Sequence, residues 1–368
     1  MTSSSKSMDV AVLGGGQMGL HVIEHLRDSP LVRGITVFDP KVERMEQLSK
    51  SHSVKTADSL QHILEDPTIR LVFIAASNDV HKELAIAALE AGKAVMCEKP
   101  MATSLADAEA MVEVAERTQG FLQIGFELRY SQLYTTVKDW VAQGLLGRLM
   151  NTQCTYITGA WGRNNVWRAA SSTSGGMFGE KLSHYVDLVR WWIGDEVEEV
   201  YAVCSPNVIP YYEVHDNYHC SYRFKNGAVS QLTFMMAPAA TFKGDPLQNA
   251  VSQQAGDGHM LRYTIYGDKG AAETDVFPRT LKRWEFGEDD YGQTSAWVQS
   301  ETWSPERDFE FFHNTHDQTL DIVRRVAEGE SPKISPRDAL ETMRLCFAAE
   351  LSATEKRPVR LDELRQGR

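Results

Sequence analysis

The sequence predicts an α/β fold in two parts: an N-terminal domain on a parallel sheet, and a C-terminal α+β domain with a large, mostly antiparallel open sheet. Three observations predict it. Up to residue 149, short apolar runs alternate with amphipathic stretches of helical length, which is the order of repeated βα units. A turn of three glycines, Gly14-Gly15-Gly16, follows the first apolar run directly, with Gly19 just beyond it. From Met150 onward the strands lengthen and the helices between them become scarce. A chain of 368 residues exceeds one ordinary core. Domains are therefore expected at residues 1–148 and 149–368, with the last helices and strand able to pack back on the first domain.

In the first domain, residues 10–13, 35–38, 71–75, 94–97 and 121–124 are rich in Val, Ile, Leu and Phe and read as buried strands. Helical stretches lie between them at 17–27, 42–50, 59–63, 80–91 and 105–117, and 130–143 adds one more. In the second domain the strands are expected at 150–158, 197–203, 219–224, 228–235, 260–266, 270–274 and 281–284. Asn226-Gly227 between two of them is a hairpin signal. Helices at 309–328 and 336–354 precede a last strand near Val359. Residues 237–258, rich in Gly, Gln, Asp and Pro, read as a long loop and a candidate lid. The polar, Ser-rich residues 1–9 read as a tail.

Composition bounds the partners. Hydrophobic content of 42% and charged content of 24% are those of a soluble globular protein. A formal net charge of −12 argues against a nucleic-acid footprint, which needs clustered Lys and Arg. No apolar run is long enough to span a bilayer, and none reads as a signal-peptide core. The five cysteines are scattered without CxxC or zinc spacing, as expected of free thiols in the cytoplasm. His215, Asp216, His219, His313 and His316 do not form a metal set, and no metal is expected.

The glycines carry the first chemical reading. A strand running into G-x-G-x-x-G and then a helix is the Rossmann fingerprint. Gly14 permits the tight turn, Gly16 lets the backbone approach a pyrophosphate, and Gly19 lets helix pack on strand. Asp39, at the end of the second strand, is placed to accept from ribose hydroxyls and to repel a 2′-phosphate, which favours NAD. Asp39-Pro40 is by itself also a plain turn pair.

Further along stand Ala75-Ala-Ser-Asn-Asp-Val-His81, Glu98-Lys99-Pro100, Gly125-Phe-Glu-Leu-Arg129, Trp167-Arg168, Gly175-Gly176, and Glu180-Lys-Leu-Ser-His-Tyr-Val-Asp187. Their order and spacing resemble the glucose–fructose oxidoreductase/inositol dehydrogenase/MocA family over essentially the whole chain. The resemblance implies a cofactor site of Gly14, Gly16, Gln17, Met18, Asp39, Ser77, Asn78, His81, Glu98, Lys99, Glu127, Trp167 and Arg168. It implies Lys99, His184 and Glu180 as catalytic, and Lys99, Arg129, Arg163, Trp167, Lys181, His184 and Asp187 on the substrate. It also implies that Pro100 is often cis.

Oxidising a sugar carbinol requires a base for the hydroxyl proton and a cation to steady the developing alkoxide. Lys99, after a strand's C-terminal end, lies where open α/β sheets bind ligands, although a lysine before a proline turn is by itself a surface residue. Glu180, His184 and Asp187 recur at i, i+4 and i+7, which puts them on one face of a helix. His184 is the candidate base. A Glu–His pair on a helix is otherwise a common solvated ion pair. Many relatives carry Asp at the Glu180 position, paired with the histidine; here Glu180 is followed by Lys181, and its role stays open between orienting His184, binding a hydroxyl and neutralising Lys181. If Arg163, Arg168 and Lys181 converge, the substrate carries an acidic group.

The leading expectation is an NAD-dependent oxidoreductase acting on a secondary hydroxyl of a sugar, inositol or glycoside. The first alternative is a glycoside hydrolase that oxidises C3 transiently, eliminates and re-reduces, on a sugar that is anionic in one version. The second is a non-catalytic NAD-binding regulator. Relatives pair the open face of such a sheet, so the resemblance implies a homodimer or homotetramer, with a small carbohydrate as the other partner.

Overall fold

The structure, a computed structural model, describes residues 7–161, 166–239 and 256–366, without the side chains of 166, 167, 365 and 366. The first sheet has six strands: β1 (Met8–Leu13), β2 (Val32–Phe38), β3 (Lys55–Thr56), β4 (Ile69–Ile74), β5 (Ala94–Cys97) and β6 (Leu122–Ile124). They pair in the order β3-β2-β1-β4-β5-β6, and every pairing is parallel. The parallel order follows from strands such as β1 and β4, apolar on both faces and therefore in need of helices on each. The helix Gln17–Leu26 supplies one such cover, burying Gly19, Val22, Ile23 and Leu26 on a single stripe. Sheet growth reverses between β1 and β4, and the C-terminal ends of these strands open the crevice where such sheets take ligands.

Two details differ from expectation. Met8 and Asp9 belong to β1, where Met8 is buried and Asp9 accepts from Arg33 at 2.9 and 3.1 Å. The expected tail therefore stops short of them. Strand β3 has only two residues, both exposed, and no apolar pattern could announce it.

Compact units divide the chain between Phe126 and Glu127 rather than at residue 148. The first unit also takes Ser172–Gly175 and Thr315–Met343. The reason lies in two amphipathic helices. Tyr134, Val137 and Trp140 of the helix Gln132–Ala142 are buried in the core of the second unit, with Trp192 and Tyr263. Ile322, Val323 and Val326 of the helix Thr315–Glu328 join Val10, Val12 and Phe73 in the first.

The second unit carries a nine-stranded sheet: β7 (Leu149–Thr158), β8 (Val197–Val203), β9 (Asn217–Phe224), β10 (Val229–Met236), β11 (Met260–Gly267), β12 (Gly270–Asp275), β13 (Thr280–Asp289), β14 (Gly292–Thr302) and β15 (Val359–Arg360). Their order is β14-β13-β12-β11-β7-β10-β9-β8-β15, antiparallel except for β7 beside β10. Buried and open positions alternate along β8, β9 and β10, so one face forms the core. Asn226-Gly227 makes the β9–β10 hairpin, with Gly227 at φ +88° and Asn226 Oδ1 accepting from Ala228 N at 3.0 Å. Strand β14 went unpredicted because it is exposed almost throughout and shows no core-facing alternation.

The stretch expected as one helix, 309–328, breaks into Asp308–Phe311 and Thr315–Glu328. Ser131 Oγ donates to Phe312 O at 2.6 Å and Asn314 Nδ2 donates to Tyr130 O at 3.3 Å, which holds the break open and presents His313 there. Residues 240–255 of the expected loop lie outside the described residues. Among the described residues all five cysteines are free, no helix is long and apolar enough to cross a membrane, and no group of three His, Cys, Asp or Glu is placed to hold a metal.

Candidate active site

In the first unit the glycine turn is set by backbone proximity. Gly14 has φ +103°, and a Cβ there would meet Ala75 O at 2.5 Å. A Cβ on Gly19 would lie 1.9 Å from Gly14 O. Gly16 caps the helix Gln17–Leu26 with no side-chain hydrogen bond, so its first N–H groups, near Gln17 and Met18, remain available to an anion. Asp39 is buried at the end of β2; Oδ2 accepts from Gly15 N and Oδ1 from Lys41 N, each at 2.8 Å. Each carboxylate oxygen has capacity for a further donor, such as a ribose hydroxyl. Arg44 Nη1 lies 3.4 Å from Asp39 Oδ2, a neighbour that sequence reasoning missed. This cradle fits a dinucleotide.

The loops after β4 and β5 complete this edge of the sheet. Ser77 is exposed and Asn78 is buried, donating from Nδ2 to Ser174 O at 3.3 Å. Glu98 N donates to Ile74 O, and the half-buried Lys99 precedes Pro100 through a cis peptide. His81 is also expected on the cofactor. Its ring is wholly buried, with Nδ1 2.8 Å from Pro100 O and Nε2 3.2 Å from Ala76 O, so it braces the two loops. Burial holds its pKa below the usual histidine value.

In the second unit the segment after Gly175-Gly176 is not one regular helix. Phe178–Leu182 forms a π-helical turn that leads into the α-helix Ser183–Ile193. Ser183 Oγ donates to Gly179 O at 3.0 Å within this turn. Glu350 Oε1 accepts from Phe178 N at 3.0 Å, and Oε2 accepts from Tyr218 OH at 2.5 Å. Burial raises the carboxyl pKa of Glu350. The π turn interrupts the regular spacing expected of Glu180, His184 and Asp187, and each residue finds its own partner. Glu180 is ion-paired with Arg168 at 3.0 Å, and the Arg168 guanidinium lies 5.3 Å from the Trp161 ring. Asp187 takes Arg129 in a bidentate pair, both bonds 2.6 Å and both residues buried. Arg129 and Asp187, expected on the substrate, thus brace the helix against the turn Glu127–Tyr130.

The carboxylate that faces His184 is Glu127, with Oε1 3.4 Å from Nε2. The same oxygen lies 2.7 Å from His313 Nδ1. Glu127, expected on the cofactor, is therefore a buried link between two imidazoles. Lys181 Nζ stands 5.9 Å from the ring centres of Tyr156 and Tyr185. Burial pushes the Tyr156 phenol up to about 12, so it stays protonated. Arg163 and the side chain of Trp167 lie outside the described residues.

Residues 8–126 match the model of an oxidoreductase family with an NAD-binding Rossmann fold, and residues 134–273 match the GFO/IDH/MocA C-terminal domain. The chain belongs to the GFO/IDH/MocA oxidoreductase family. Similar proteins include myo-inositol 2-dehydrogenase of Thermotoga maritima, 27% identical over 97% of this chain and 99% of that one. The scyllo-inositol 2-dehydrogenase (NAD(+)) of Bacillus subtilis is 26% identical over 96% of each chain. A levoglucosan dehydrogenase in complex with NADH and levoglucosan shares the fold, with a TM-score of 0.78 and 22% identity over 96% of this chain and 99% of that one.

Within this GFO/IDH/MocA chain, sequence reasoning missed two contributors to the site. The sequence offers His313 only as a metal candidate, because its partner is 186 positions away. Glu350 carried no local signal, since it acts through a backbone N–H 172 positions away. A glutamate on an apolar face of the helix Pro336–Glu355 was the one available hint.

Proposed function

We propose that the chain is an NAD-dependent dehydrogenase that oxidises a secondary hydroxyl of a neutral sugar, inositol or related polyol. The carrying observation is His184 held against the buried carboxylate of Glu127 in a chain of this family. Bound NAD supplies the hydride acceptor. A carboxylate opposite Nε2 retains the ring proton there and leaves Nδ1 as the basic atom that takes the hydroxyl proton. Lys99, at the C-terminal end of β5, steadies the oxygen as its charge develops. Ser77 and the first turn of the helix Gln17–Leu26 serve the cofactor's phosphates, and Asp39 its ribose.

Neutrality of the substrate is supported by charge matching. Of the basic residues whose convergence would imply an acidic substrate, Arg168 already faces an acid, Glu180, just as Arg129 faces Asp187. The similar proteins are named for neutral polyhydroxy compounds, and the glycosidase alternative draws no support from them. The open sheet face, with Met150, Tyr201, Val203 and Tyr266 exposed, suits self-association into a homodimer or homotetramer. Free thiols suit the cytoplasm.

Incubation with NAD and a panel of inositols, anhydrosugars, sugar acids and aryl glycosides tests the reading. NADH is expected to accumulate with neutral polyols. Aglycone release without NADH, or turnover confined to sugar acids, contradicts it.

A further inference from the structure

We propose that Glu127 sets the basicity of His184, and that His313, sharing the same carboxylate oxygen, tunes it from the solvent side. The proposal rests on the reading that His184 is the base. Glu127 Oε1 serves both rings, 3.4 Å from His184 Nε2 and 2.7 Å from His313 Nδ1. The imidazoles stand 6.1 Å apart, nearly perpendicular. Their side-chain exposures grade from 1% at His184 through 7% at Glu127 to 29% at His313, so only the outer ring meets solvent freely.

The three residues come from distant parts of the chain, yet the site fixes them together. The ties from Ser131 and Tyr130 to the helix break at 312–314 hold His313 over the turn that begins with Glu127. Other charged and titratable groups stand near them. Arg129 is committed to Asp187. Tyr185, whose ring is 6.5 Å from His184, is kept protonated by burial. Lys181 faces the tyrosine rings. Glu127 is the carboxylate whose Oε1 lies against both histidines.

The consequence is a directional coupling. An ionised Glu127 favours the protonated form of His184 and raises its pKa. A protonated His313 offsets that charge and repels a second cation, which lowers it again. Two imidazoles on one oxygen titrate as a coupled set, and the acid limb of kcat reports the set. Glu127 and His313 are positioning residues, acting through His184.

The test is the pH profile of kcat for the wild type, Glu127→Gln, His313→Gln and His184→Ala, with NAD binding and thermal unfolding as checks on the fold. Glu127→Gln is expected to lower kcat by about 10–1,000-fold and move the acid limb down by about one pH unit. His313→Gln is expected to move the limb up by a similar amount, because the compensating cation is gone. A purely structural role would reduce activity without moving either limb. Limbs that stay fixed, or that both move the same way, overturn the proposal. An acid limb that persists unchanged in His184→Ala instead removes His184 as the base, so the two failures are distinguishable.

Discussion

The glycine turn of the first unit and the Glu127–His184–His313 cluster of the second each hold polar groups ready for a ligand, by opposite means. The turn uses backbone alone: Gly14, Gly16 and Gly19 lie within six residues, and the close approach of Gly19 to Gly14 O leaves no room for a side chain. The cluster uses side chains brought from three segments, with Glu127 and His313 separated by 186 positions. A site of the first kind is written in consecutive residues. One of the second kind is written in the fold, so it changes when any distant partner changes.

The comparison can be broken from either side. The largest effect is expected where the second unit depends on a buried pair. Asp187→Ala leaves Arg129 charged and buried, and should cost about 3–5 kcal/mol in denaturant unfolding. A loss below about 1 kcal/mol would show that the pair is not a brace. Next comes a change that spares the fold. A Cβ on Gly16 meets nothing nearer than Arg44 Nη1 at 3.8 Å, so Gly16→Val should unfold as the wild type does. It fills the cradle, however, and calorimetry should find NAD binding weakened by about 100-fold, about 2.8 kcal/mol. Unchanged NAD affinity would locate the pyrophosphate elsewhere.

The smallest effect concerns the helix that the glycine turn begins. His25, partly buried with an unpartnered Nδ1 and with His21, His316, Asp28 and Asp317 around it, has its pKa lowered from 6.5 to about 4, chiefly by burial. Its folded value is depressed, so the unfolded chain takes the proton first. Stability present above 6.5 is therefore lost as the pH falls toward 4. Allowing for solvent screening, this contributes about 1–2 kcal/mol. Melting of His25→Phe should be flatter across that window than melting of the wild type, and parallel curves would assign the acid sensitivity to other groups.

Legibility in the sequence followed the same divide. Strands such as β5, with every residue from Val95 to Cys97 buried, and the helix Leu105–Arg117 were readable because burial imposes a local period. Asn226-Gly227 was readable because its turn demands particular residues. Strand β14 was not, since nothing buries it. Asp39 and Lys99 stand just beyond the ends of parallel strands, which is the feature that singles them out in the sequence. Glu180 was placed on the same face as His184 by regular spacing, and the π turn at Phe178–Leu182, supported by Glu350, broke that spacing. The acid facing the histidine is Glu127, which its motif Gly125–Arg129 offers in the sequence only as a cofactor residue.

One measurement bears most directly on the central claim, that His184 takes the proton while NAD is consumed. Single-turnover NADH formation from a polyol identified in the substrate panel should be slowed by about 100–10,000-fold in His184→Ala, with NAD still bound at wild-type affinity. An undiminished rate in His184→Ala, or substrate cleavage by the wild type with no NADH released, would contradict the account.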